Sequence, residues 1–81
     1  MNLSPTEVHT LRIAAANEEG RILVFDPNVG PLSVIGGPGE GNLDLGEASL
    51  RRLVRFGLIR FDAGDSYLIT SAGRNHLQRL D

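Results

Sequence analysis

A small α+β domain, in the order helix, strand, strand, helix, strand, strand, helix, is the fold this sequence predicts, on three observations. Apolar residues recur at helical spacing behind capping signals in three places, from Val8 to Ala15, Leu50 to Val54 and Gly73 to Leu80. Between them lie short alternating or β-branched runs, Arg21–Phe25, Leu32–Ile35, Leu58–Asp62 and Ser66–Thr70, bounded by glycine, proline or aspartate. With 81 residues and no internal repeat, there is room for a single domain over residues 1–81 with one small core.

The first helix is expected over Pro5 to Glu18. Ser4 caps it, Pro5 suits the first helical position, Glu7 completes a capping box, and Leu3 and Val8 stand where a hydrophobic staple sits. Val8, Leu11, Ala14 and Ala15 form its apolar stripe, and Gly20 follows as a stop. Ile13 and Ala16 project off that stripe as an exposed apolar pair suited to self-association. The connection from Asp26 to Pro31 carries the proline, asparagine and glycine of a hairpin loop, and Gly36 to Asn42 reads as a flexible connector.

Asp44 is the expected cap of the second helix, with Leu50, Leu53 and Val54 inward and Gly57 at a left-handed terminal position. Leu58 would close against Leu53. In the hairpin that follows, Gly64 supplies the positive φ of a tight turn, and Thr70 caps a last helix with Gly73, Leu77 and Leu80 on its inner side.

Composition narrows the function. There is no cysteine, hence no disulfide and no thiolate metal site. No stretch approaches the ~18 apolar residues of a membrane span, so the expectation is a cytoplasmic protein with no membrane partner. The net charge is −2 and every base is arginine, which offers no global attraction to polyanions. The distribution is uneven, however: residues 1–50 hold two arginines against seven acids, whereas residues 51–81 hold six arginines against three. Such a split marks one side as the one that would face a polyanion.

On the second helix Arg51, Arg52 and Arg55 fall within an arc of about 100° opposite the apolar stripe, with Ala48 leaving that face uncrowded. Guanidinium forks displayed together can donate in pairs to phosphates or to guanine edges, and Arg60 just beyond the turn would extend the patch. The plainer alternative is a solvated face on which Glu47 and Arg51 make an i,i+4 pair.

The pattern L-x-x-L-x-x-x-G-L-I, a short hairpin, then Y-x-x-T-x-x-G is carried by Leu50, Leu53, Gly57, Leu58, Ile59, Tyr67, Thr70 and Gly73. It resembles the C-terminal half of winged-helix regulators and covers about one third of the chain. The resemblance implies a winged-helix-like domain in which the helix from Ala48 to Phe56 is the recognition helix. Ser49, Arg51, Arg52 and Arg55 would then face DNA, and Arg60 would lie on the wing. Two features stand apart from the family's pattern: Gly36–Asn42 fills the place of the helix that precedes the recognition helix, and the hairpin tip Asp62-Ala63-Gly64-Asp65 is acidic.

Nothing in the sequence asks for a catalyst or a cofactor. The run Gly36-Gly37-Pro38-Gly39-Glu40-Gly41 lacks the Gly-Lys-Ser/Thr and G-x-G-x-x-G spacings of phosphate cradles, and Glu40 would repel phosphate. His9 and His76 are the only imidazoles and lack ligand spacing, so no metal is expected. Ser66, Ser71, His76 and Asp81 are hydrolase residue types without a nucleophile elbow. The expectation is a non-enzymatic DNA-binding domain, a transcriptional regulator contacting duplex phosphates through Ser49, Arg51, Arg52, Arg55 and Arg60. The alternative is a protein-interaction module or accessory factor, with a protein partner or a homodimer in place of DNA.

Overall fold

The computed structural model describes residues 2–25, 32–35 and 42–80. In chain order the elements are α1 (Pro5–Ala16), β1 (Arg21–Phe25), β2 (Leu32–Ile35), β3 (Asn42–Leu45), α2 (Glu47–Arg55), β4 (Ile59–Ala63), β5 (Ser66–Ile69) and α3 (Ser71–Leu80). The α+β class and the order of the predicted elements hold, and β3 is added to them. The connections expected at 26–31 and 36–42 lie outside the described residues, save Asn42, which opens β3 instead of closing a loop.

The start of α1 follows from its capping box: Ser4 Oγ accepts from Glu7 N–H at 3.2 Å, and Glu7 Oε1 accepts from Ser4 N–H at 2.8 Å. The helix ends at Ala16, earlier than the expected Glu18, because Asn17 turns the chain into β1. Its amide donates to Arg21 O at 2.6 Å and accepts from Arg21 N–H at 2.8 Å. Ile13 is buried at 5% exposure, which corrects its expected place on an outer face. Covered by the sheet and by both other helices, α1 buries a wider stripe than its spacing suggests.

All strands pair antiparallel in one sheet ordered β3-β2-β1-β5-β4. Strand alternation sends Ile22, Val24, Val34, Leu45, Ile59 and Ile69 to one face. There they meet Leu11 and Ala14 of α1, Leu50 and Leu53 of α2 and Leu77 of α3 in a single core. The helices therefore share one face of the sheet, and the other face carries Arg21, Leu23, Arg60, Ser66 and Leu68.

Asp44, expected as a helix cap, is instead an exposed residue of β3 opposite Ser33, and Gly46 caps α2 without a side-chain bond. The reason is burial. Leu43, Asp44 and Leu45 alternate with period two, and pairing to β2 delivers Leu45 wholly into the core.

The C-terminal half is set by three local devices. At the end of α2, Gly57 has φ 73°, its N–H donates to Val54 O at 3.0 Å, and Leu58 N–H donates to Leu53 O at 3.0 Å. These are the two bonds of a Schellman ending, with Leu53 and Leu58 both buried as its apolar contact. Next, β4 and β5 join through Gly64-Asp65, and the register slips between Phe61 and Ala63 so that Asp62 is bulged out. Finally, Thr70 Oγ1 accepts from Gly73 N–H at 3.1 Å and donates to Gly57 O, capping α3 and tying it to the end of α2. Replacing Thr70 by alanine is expected to cost about 1 kcal/mol, read as a lower urea midpoint with an unchanged slope.

Two residues assigned inward by spacing lie at the surface: Val54 is 41% exposed and Leu80 is 50% exposed. Gly73 and Leu77 do line the core side of α3.

Candidate binding interface of helix α2 and the terminal hairpin

Helix α2 presents two faces, and the predicted arginines distribute unevenly over them. Arg51 Nη2 lies 2.7 Å from Glu47 Oε1 one turn back, both side chains well exposed. Arg52 turns toward the N-terminus, donating to Asn2 O at 2.8 Å while its Nε stands 3.6 Å from Glu7 Oε2. Its guanidinium also lies 5.6 Å from the Phe56 ring centroid. Glu7 is fully buried and Oε2 has no hydrogen bond, so the Arg52 charge is its compensation. Arg52 is thus part of the fold's own structure.

Arg55 is exposed and makes no hydrogen bond or ion pair among the described residues. Arg51, Arg52 and Arg55 line one shallow hollow with Glu47 and Ala48, so the structure brings the helix trio together. Arg60 does not join it. Its neighbour Ile59 pairs with Ile69 in the core, which places Arg60 on the opposite, open face of the sheet. Ser49 is half-buried.

On its other flank, α2 and the hairpin enclose a groove of about 470 Å³. Leu50, Val54, Phe61 and Tyr67 form its apolar part, and Arg51, Arg55 and Glu47 stand along its helix side. Phe61 is 55% exposed and meets Tyr67 edge to face, with centroids 5.6 Å apart and planes at 75°. Phe61 belongs to the core-facing side of β4, but no helix among the described residues covers it.

The hairpin that walls this groove is held firmly. Arg21 Nη1 reaches across β5 to Asp62 Oδ2 at 2.7 Å and to Ser66 Oγ, while its Nε meets Glu19 Oε2 at 2.8 Å. The hydrogen bonds that Arg21 donates to Glu19 and then to Asp62 stabilise the charged guanidinium and raise its pKa above the ordinary arginine value. Val24 N–H donates to Asp65 O at 2.8 Å, fastening the turn to β1. The acidic tip is therefore anchored to the sheet.

The chain matches no protein-family model, no curated protein and no solved structure. The winged-helix expectation is carried by none of these comparisons. The element leading into α2 is strand β3, so no helix-turn-helix precedes α2 among the described residues. Among those residues, no three His, Cys, Asp or Glu side chains group as metal ligands, and no helix is long and apolar enough to cross a membrane.

Val54 and Phe61 were missed as site residues for different reasons. Val54 fits the inward stripe, and only the position of the hairpin exposes it. Phe61 alternates with Ile59 as a buried residue would, and only the reach of α2 over the sheet decides that it stays uncovered.

Proposed function

We propose that this domain is a non-enzymatic docking module that receives another protein in the groove between α2 and the β4–β5 hairpin. The observation that carries the reading is the contiguous apolar surface there, with Val54 at 41% and Phe61 at 55% exposure beside Leu50 and Tyr67. Large apolar side chains gathered in a concavity favour a partner's apolar anchors. The polyanion reading is weakened by Arg52 serving Glu7, by Arg60 lying on the other face, and by the net charge of −2. The test is capture from cells with native protein and with Val54→Ser/Phe61→Ser. A stoichiometric protein retained by the first and lost by the second is the expected result; recovery of nucleic acid alone overturns the reading.

A second reading, a nucleic-acid-binding domain acting in transcription, is favoured by one observation. Arg55 has no partner among the described residues, and the Arg51–Glu47 pair is exposed enough to exchange for phosphate. On this reading random duplex binds at low salt, and affinity falls with a log–log salt slope of about −2, as two phosphate contacts require. Arg51→Ala/Arg55→Ala then abolishes the binding. A native protein that binds no duplex at low salt removes this reading.

A further inference from the structure

Resting on the docking reading, we infer that the occupant of the α2–hairpin groove is an acidic amphipathic segment of another polypeptide, with apolar anchors flanked by Asp or Glu.

The chemistry of the groove is two-sided. Its apolar part, Leu50, Val54, Phe61 and Tyr67, offers no side-chain hydrogen-bonding group except the tyrosine hydroxyl, so it selects aliphatic or aromatic side chains. Along the helix side stand Arg51 and Arg55, four residues apart and hence neighbours on the helix surface. A segment whose apolar side chains enter the groove carries its flanking groups past these two guanidiniums. Carboxylates there complete charge-assisted, forked hydrogen bonds. Ammonium or guanidinium groups in the same place meet like charge.

The existing partner of Arg51 supports the same choice. Glu47 Oε1 lies 2.7 Å from Arg51 Nη2 with both side chains solvated, so an intramolecular carboxylate already occupies the position that a ligand carboxylate would take. Arg55, one turn on, has the same fork and no such carboxylate among the described residues. A bare polyanion is a poorer fit, because phosphates satisfy the arginines and leave the apolar part of the groove wet. A strongly basic segment fits only half of the site. Charge complementarity and apolar anchoring therefore select the same ligand class.

The experiment is selection from a display library of short random peptides, run in parallel against the native domain, Val54→Ser/Phe61→Ser and Arg51→Glu/Arg55→Glu. Circular dichroism confirms that each variant is folded. We expect the native domain to enrich peptides in which Asp or Glu lies beside Leu, Phe, Met or Val. A synthetic copy of an enriched peptide should lose at least tenfold in affinity on Arg51→Glu/Arg55→Glu. It should lose as much when its acids become amides, and a lysine-bearing version should recover binding to the charge-reversed variant.

Enriched peptides that need Val54 and Phe61 but show no acidic preference would overturn the inference and leave the docking reading standing. No enrichment over Val54→Ser/Phe61→Ser would overturn both. So would a domain that binds random duplex through Arg51 and Arg55, or that self-associates through the groove as judged by sedimentation.

Discussion

Replacing Gly73 by alanine is expected to remove about 3 kcal/mol of stability, a large share of what a domain of this size holds. Gly73 sits in the first turn of α3, pressed against the end of α2. A β-carbon there would lie on the Leu58 carbonyl oxygen, well inside van der Waals contact, and 2.7 Å from Ile69 Cγ1. The Leu58 carbonyl cannot retreat, because it accepts from Thr70 N–H at 3.0 Å where β4 and β5 meet. The thermal midpoint should fall by roughly 12–24 °C. Gly57→Ala is the informative comparison. Its β-carbon would meet nothing within 4 Å, so its cost is that of φ 73° alone, about 1–2 kcal/mol. If both substitutions cost the same, close approach of α3 to α2 is not what Gly73 provides.

Arg52→Ala is the second large effect expected, about 3 kcal/mol. That is the low end of the range for breaking a buried ion pair, because Arg52 is 46% exposed while Glu7 is fully buried. The loss would come from the stranded Glu7 carboxylate more than from any contact of the arginine. A double-mutant cycle tests this directly: with Glu7→Gln, which keeps the capping oxygen and removes the charge, Arg52→Ala should cost markedly less. Amide exchange of the residues before α1 should also quicken, since Arg52 holds Asn2 O. A cost near zero would instead return Arg52 to the surface face with Arg51 and Arg55.

Much of this architecture was legible because its local signals were complete. The capping box of Ser4 and Glu7, the left-handed Gly57 before Leu58, and the Thr70 cap each name both partners within a few residues. Strand β3 was not legible in the same way. Asp44 is as good a cap as it is a solvent-facing strand residue, and only pairing with β2 chooses between them. The arginine face was half legible. Helical spacing placed Arg51, Arg52 and Arg55 together, but no spacing rule reports that a buried carboxylate 45 residues earlier in the chain will take Arg52. Arg60 stands apart from the helix trio because alternation along β4 turns its neighbour Ile59 into the core. The groove was invisible, for its exposure depends on how far α2 extends over the hairpin.

The bulge at Asp62 has a consequence of its own. Strand β4 is the last of its sheet and runs beside an open apolar groove, a combination that invites stacking of one molecule's sheet onto the next. The extra residue bends the strand out of the line needed for a straight ladder, and the Asp62 carboxylate is held inward by Arg21. Deleting Asp62 would straighten that border and release the arginine, leaving a regular edge on which further copies of the chain can add.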